Sequence, residues 1–371
     1  MPLLWFKEDF FVKYRNDPNF LLEALAYLGR KASGKTWEYI NERIRQRRIE
    51  APASFRDTFS KLTDLTARID SRLSYNMETL SGLFANLEGL PPNTIGSASP
   101  AFLLYYPRLE DYDSRLGPLA DSVTQMSPES IACGIARTLD LTDDSSDMDH
   151  QTFISLILSQ SFPESTKLAI MNIYGSYSRL AQEAAALLEP VMDVMEAEKE
   201  SVYEILSSFQ SVIKEMGCSR FLRSLSHLDP GADSPYLLRP FIFGMDTNLS
   251  TDGLHNEVCL YCGILRKELQ DMLNIQSVSE NSVYEAFHLL GDRTRFDILC
   301  YLRGRSAYGQ ELSSHFRLSR NTIHHHMSKL MDSGLVTCTI SGNRVYYSLN
   351  KEAILELLDK QRDLFFQSQE T

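Results

Sequence analysis

Residues 317–334, RLSRNTIHHHMSKLMDSG, constrain this chain most, because a start signal, a buried stripe and a stop signal all fall within them. Ser319 is a good N-cap: its hydroxyl can accept a hydrogen bond from a free backbone N–H of the first helical turn. Gly334 is the matching stop, since glycine adopts a left-handed exit conformation without steric cost. Ile323, Met327 and Leu330 recur at spacings of four and three and mark one buried face. The opposite face carries Arg320, Asn321, His324, His325 and Ser328, a donor-rich set nearly free of carboxylates. Because that set begins at the helix N-terminus, the part that reaches base edges in a helix-turn-helix, the pattern predicts a DNA-recognition helix.

The net charge of −12 over 371 residues looks wrong for that role until it is divided by region. Residues 293–344 hold eight Lys/Arg against three Asp/Glu, whereas residues 1–280 hold 26 basic and 39 acidic residues, a net of −13. A basic segment beside an acidic one suits a DNA-binding domain whose companion is repelled by the phosphates.

The C-terminal part parses almost completely. A short helix is predicted at 283–290, ending at Gly291, then helices at about 294–302 and 309–316, then the recognition helix. Two strands follow, LVTCTI and RVYYSL, joined through Ser341, Gly342 and Asn343, whose small residues suit a tight hairpin. A final amphipathic helix is predicted from about 351 to 366, with Ile354, Leu355, Leu358, Phe365 and Phe366 available to pack.

Three runs in this order, FHLLGDRTRFDILCYL, SRNTIHHHMSKLMDSGLV and GNRVYYSL, resemble the ArsR-type winged-helix repressors. That family carries a Gly-or-Asp-Pro-Thr-Arg turn, a Ser-x-x-Thr-Val-Ser-x-His-Leu helix and a Gly-Arg-x-Val-Tyr-Tyr wing at the same spacing. The resemblance covers only the C-terminal part. It implies a winged helix-turn-helix that binds double-stranded DNA as a homodimer made through the first and last helices of the module. It does not extend to metal sensing. Tyr308 and Gln310 stand where metal-sensing members carry a Cys-x-Cys pair, and no histidine follows His326 to supply a site on the last helix.

Arg320 and Asn321 are the expected base-edge contacts, because arginine suits guanine O6/N7 and asparagine suits adenine N6/N7. Ser319, Thr322, His324, His325, Ser328 and Lys329 are expected to add phosphate or secondary base contacts, and Arg344 at the wing tip to meet the backbone or minor groove. Adjacent helix residues point about 100° apart, so the histidine triplet cannot close on one ion, and His326, beside Ile323 and Met327, is expected to pack.

The rest of the chain reads as mainly α. Leu21, Leu22, Leu25 and Leu28 predict a helix broken at Gly29, followed by a basic run, RIRQRRI, at 43–49 that is expected to be a solvated helix end. A stripe from Phe55 to Leu87 steps by three and four throughout, which predicts one long helix for dimerisation or for a bundle core. Residues 89–100 form a loop, and 190–216 a second long helix. Tyr236–Phe243 and Glu257–Tyr261 are expected to form a small β-hairpin or two strands. A helix at about 264–273 precedes a polar linker at 276–282. The expected organisation is a helical sensor or interaction domain (1–275), that linker, and the winged helix (283–371).

The sequence contains no Gly-x-Gly-x-x-Gly, Gly-x-Ser-x-Gly or His-Glu-x-x-His. Cys259 and Cys262 form a Cys-x-x-Cys without a second pair, and on a strand they would point to opposite faces. The acidic run at 142–149 lacks the glycine and terminal glutamate of a calcium loop. Scattered cysteines, no signal peptide and no apolar run of membrane-spanning length point to a cytoplasmic protein. No cofactor or metal is expected, and the N-terminal domain is expected to receive a small-molecule or protein effector. Two other readings stand beside a regulator: an enzyme directed to DNA by its winged helix, and a winged helix used as a protein-interaction module.

Overall fold

The computed structural model describes residues 12–34, 40, 44, 51–90, 98–109, 118–139, 141–142, 146–224, 228–230, 236–252, 258–275, 289–341, 344–351, 353–355, 357–358 and 362. Beyond the first twelve residues the chain forms two compact units. One comprises Lys13–Glu215 and Leu237–Arg266; the other comprises Met216–Tyr236 and Lys267–Thr371. The expected linker at 276–282 lies outside the described residues, and the second unit takes in a segment, 216–236, that the sequence does not tie to it.

The first unit is mainly helical around a small sheet. Its described helices include α1 (Phe20–Ala32), α2 (Ala53–Arg72), α3 (Met77–Phe84), α4 (Pro100–Tyr105), α5 (Asp121–Thr124), α6 (Pro128–Thr138), α7 (His150–Leu158), α8 (Glu164–Gly175), α9 (Tyr177–Ala197) and α10 (Lys199–Met216). The sheet has the order β1 (Val12–Tyr14), β3 (Tyr236–Phe241), β5 (Val258–Gly263), β4 (Asn248–Asp252), with β4 and β5 antiparallel. The two expected runs, 236–243 and 257–261, do supply strands, but they are not consecutive. β4 lies between them in sequence and pairs antiparallel with β5, while β3 flanks the other edge of β5. β4, Asn-Leu-Ser-Thr-Asp, is too polar to announce itself as a strand.

Three helical expectations change. α1 runs through Gly29 to Ala32, because Arg30 beyond the glycine is tied down: its Nε donates to the Phe243 carbonyl at 2.7 Å and its Nη2 to Asp246 at 2.8 Å. The stripe from Phe55 to Leu87 divides at Leu73, which is extended, and Asn76 caps a new helix by accepting from the N–H groups of Glu78 and Thr79. Phe55, Leu62, Leu65 and Ile69 are buried within their own unit, so α2 is a core helix. Pro190 lies inside α9 rather than at a helix start. Ala186, whose carbonyl loses its helical donor to the proline, is exposed and open to water. The basic run at 43–49 lies, apart from Ile44, outside the described residues.

α1 is buried from Leu21 to Arg30 and carries polar groups into the core. Asn19 accepts from the Leu22 N–H at its own helix start and donates to the Leu109 carbonyl and the Tyr261 hydroxyl, all at 3.1 Å. One oxygen of Glu23 accepts from the Ile242 N–H and the other from the Phe243 N–H, both at 2.8 Å. Fully buried Arg239 donates to the carbonyl and the carboxylate of Asp17 and lies over the Tyr261 ring. Burial pushes the Glu23 carboxyl up to about 8, although the two N–H groups and Arg239 pull it down. Cys259 and Cys262 lie on β5, fully buried and, by the two-residue period, on opposite faces. Burial drives the Cys262 thiol well above its ordinary range, the reverse of what a reactive thiolate needs.

The second unit contains α11 (Cys218–Ser224), α12 (Arg266–Ile275), α13 (Arg293–Tyr301), α14 (Gly309–Phe316) and α15 (Arg320–Asp332). Its sheet has the order β2 (Leu228–Pro230), β7 (Val336–Ser341), β8 (Arg344–Leu349), β6 (Ser306–Tyr308). β7 and β8 form the expected antiparallel wing, with Ser341 opposite Arg344. β6 pairs antiparallel to β8, and β2 pairs in parallel with the outer edge of β7, so a long-range strand masks an edge that the wing alone would expose. One core holds the module together: Ile298, Leu299 and Leu302 of or just after α13, Leu312 of α14, Ile323, Met327 and Leu330 of α15, and Val336, Cys338 and Tyr347 of the wing. Among the described residues no helix is long and apolar enough to cross a membrane.

Residues 351, 353–355, 357–358 and 362 are helical, as expected for the end of the chain. Ile354 packs against the core, but Leu355 and Leu358, expected to do the same, are 61% and 53% exposed. Phe365 and Phe366 lie outside the described residues.

Candidate nucleic-acid interface

The recognition helix starts where its cap dictates. Ser319 is extended (φ −63°, ψ 152°), and its hydroxyl accepts from the Thr322 N–H at 3.1 Å. The Ser319 and Thr322 hydroxyls also bond each other at 2.8 Å. Both expected phosphate-contact hydroxyls are therefore first of all capping groups. Ser319→Ala should lower the thermal stability of this unit by an amount equivalent to about 1 kcal/mol, readable by calorimetry; an unchanged melting temperature would remove the cap from the account. At the other end Ser333 closes the helix and Gly334 leaves it at φ 72°. Asn350 donates to the Gly334 carbonyl at 2.9 Å, fastening the exit to the end of the wing.

The preceding helices are seated in the same way. Asp292 caps α13 by accepting from the Arg295 N–H at 2.9 Å, a bond that holds its carboxyl below the usual range. Glu311 of α14 reaches back to the Tyr308 N–H at 3.1 Å. Arg295 donates to the Leu289 carbonyl at 2.6 Å, so within the charged turn Asp-Arg-Thr-Arg the second arginine is a structural joint.

Around α15 the residues distribute as the 3.6-residue period requires. Ile323, Met327 and Leu330 are buried, Arg320, Thr322, His324 and Ser328 are partly buried, and His325 and Lys329 are exposed. Asn321 occupies the second helical position and Arg344 opens β8, but the side chains of both lie outside the described residues. Burial, with a smaller contribution from neighbouring His325, lowers the His324 pKa, so near neutral pH this imidazole is an uncharged donor or acceptor rather than a phosphate-binding cation.

His326 packs, as its position beside Ile323 and Met327 predicts. Its Nδ1 is buried without a hydrogen bond and sits 3.8 Å from Asp292 Oδ1. Burial lowers its pKa and Asp292 partly offsets the shift. The triplet thus fans around the helix, and among the described residues no group of three or more His, Cys, Asp or Glu side chains could hold a metal ion. Two features escaped the sequence reading. Asp292 as a helix cap could have been found, because an aspartate directly before an apolar-periodic run is a start signal. Arg317, which ends α14 in the left-handed region at φ 55°, carries no such signal, since glycine or asparagine is the usual occupant.

The comparisons with known proteins fall on this same region. The family model described as "Bacterial regulatory protein, arsR family" matches residues 292–337, from the cap of α13 to the start of the wing. The chain is similar to the arsenical resistance operon repressor of Staphylococcus aureus, 40% identical over 68 residues, which is 18% of this chain and 64% of that protein. It is likewise similar to the arsenical resistance operon repressor of Staphylococcus xylosus, 36% identical over 76 residues, 20% of this chain and 72% of the relative. A third relative is the transcriptional repressor SdpR of Bacillus subtilis, 29% identical over 79 residues, 21% of this chain and 84% of that protein. The aligned part thus spans just under two thirds of the Staphylococcus aureus repressor. No solved structure matches the chain.

Proposed function

The chain belongs to the arsR family through its second unit, and on that premise we propose that it is a DNA-binding transcriptional repressor, cytoplasmic and acting as a homodimer on a pseudo-palindromic operator. The observation that carries the reading is the recognition helix. It is capped by Ser319, seated by Ile323, Met327 and Leu330, and carries its donor-rich sequence in a basic region of an acidic chain. Two such helices related by a twofold axis enter successive major grooves. Arg320 and Asn321 read base edges, and Lys329, His325 and Arg344 lie along the backbone. The reading assigns the chain no catalytic step.

Arg320→Ala should cost about 1–3 kcal/mol at one base position of the operator, whereas Arg344→Ala should weaken binding to all sequences alike and flatten the salt dependence. Affinities measured on operator and scrambled duplexes separate the two, and unchanged binding in both variants would remove the assignment.

The homodimer is supported by the outward leucines of the last helix. Leu355 and Leu358, three residues apart, are more than half exposed beside an inward Ile354, which is the pattern of a helix with a second apolar face to cover. Leu355→Glu with Leu358→Glu should give a monomer in sedimentation velocity while leaving the far-ultraviolet circular dichroism unchanged. A dimer that persists in the double variant would place the interface elsewhere. Control comes from the first unit: a small-molecule or protein effector bound there shifts the operator equilibrium only insofar as it prefers one of the two DNA-binding states.

A further inference from the structure

Between α14 and the recognition helix the chain makes its turn through Arg317, the one non-glycine residue with a positive φ among those described. A left-handed conformation is unfavourable for an L-residue, because its Cβ crowds the following carbonyl oxygen, and glycine removes that cost. The turn itself is tightly held. The Arg317 N–H donates to the Ser313 carbonyl, as does the Leu318 N–H at 3.2 Å, and the Ser313 hydroxyl donates to the Leu318 carbonyl at 2.6 Å. On either side Phe316 and Leu318 are packed against the core, while Arg317 between them is exposed. The exposed His315 ring lies against that of Tyr301, with 4.2 Å between centroids. Two residues on, Ser319 opens the recognition helix and Arg320 takes its first position.

We infer that Arg317 is a DNA-phosphate contact, held outward by the turn at the mouth of the recognition helix and retained there at the expense of backbone strain. The inference rests on the DNA-binding reading above. Inward-anchored neighbours on both sides direct the guanidinium away from the core. Its place before Ser319 and Arg320 sets it beside the end of the helix that enters the groove, where the flanking sugar–phosphate chain passes. A planar guanidinium suits a phosphate through paired N–H donors, a geometry that a lysine reproduces only as a point charge. Arg317 also stands at the C-terminus of α14, where the helix dipole favours a cation with no DNA present. The two roles predict different outcomes for one substitution.

The test uses the full chain and its Arg317→Gly and Arg317→Lys variants on a mixed-sequence duplex of about 30 base pairs, a length that accommodates two half-sites one helical turn apart. Affinity is measured by fluorescence anisotropy across a series of potassium chloride concentrations, and thermal stability is measured on the same samples. Arg317→Gly should melt at the same or a higher temperature yet bind several-fold more weakly. Its plot of log affinity against log salt should be shallower by about one unit per protomer bound. Arg317→Lys should retain the wild-type slope. Wild-type affinity and slope in Arg317→Gly would overturn the inference, as would a fall in melting temperature that alone accounts for the weaker binding. If the wild-type chain shows no salt-dependent binding to duplex DNA, the DNA-binding reading itself fails and the inference with it, a result distinct from either variant outcome.

Discussion

Glu23→Ala is expected to destabilise the first unit by about 3–5 kcal/mol, the largest effect of any single substitution considered. The two carboxylate oxygens are the acceptors for the N–H groups of Ile242 and Phe243, at the point where β3 ends and the chain turns. Alanine leaves both donors buried and unpartnered, at about 1–3 kcal/mol each. Burial holds the Glu23 carboxyl largely protonated near neutral pH, so what alanine removes is chiefly this pair of acceptors. Urea unfolding followed by circular dichroism measures it, and a loss under 1 kcal/mol would mean that the turn finds other acceptors.

The same residue gives the first unit a pH dependence whose sign is fixed. The folded-state pKa, raised to about 8, lies above the ordinary 4.5, so the native state holds a proton that the unfolded chain releases between those values. The contribution of Glu23 is therefore fully present below about pH 4.5 and is lost as pH rises through about 8. Stability of the wild type relative to Glu23→Gln should fall over that window. The glutamine variant keeps one acceptor and loses the other, a cost that does not vary with pH. A pH-independent difference between the two proteins would show that the carboxylate stays ionised throughout.

The second large effect belongs to the recognition helix. Met327 is wholly buried among Ile323, Leu330 and the residues of α13, α14 and the wing. Met327→Ala should cost about 2–5 kcal/mol, from lost transfer energy and from the cavity left behind. In a domain stable by about 5–15 kcal/mol that is a large fraction. DNA affinity should then fall for every sequence together with the melting temperature. Arg320→Ala is the counterpart, expected to act chiefly by altering affinity at one base position. A Met327→Ala protein with unchanged melting would contradict the packing described for α15.

Legibility in the sequence followed the range of the forces involved. The second unit was readable because its signals are local. Ser319, Gly334, the Ile323–Met327–Leu330 stripe and the small residues between β7 and β8 each act within a few residues. β2 was not readable, because three residues at 228–230 become a strand only by pairing with 338–340, more than a hundred positions away. The division of the Phe55–Leu87 stripe turns on Asn76 competing as a cap against a periodicity that would otherwise continue. Arg30 and Glu23 looked like ordinary polar positions on an apolar helix, and only partners over two hundred residues distant explain their burial. At the interface, the buried side of the recognition helix was legible from period alone. On its other side His325 and Lys329 are exposed, whereas Arg320, His324 and Ser328 are partly buried. The left-handed Arg317 was not, because nothing in its residue type favours that conformation.

The central claim, that this chain reads DNA sequence through paired recognition helices, is tested most directly by binding-site selection. Purified full-length protein is used to enrich duplexes from a random library at near-physiological salt. The account predicts an inverted repeat whose half-sites are centred about 10–10.5 base pairs, or a multiple of that, apart, and a preference at one half-site position that Arg320→Ala relaxes. Recovery of unrelated sequences without a repeat, or of no DNA at all, would contradict it.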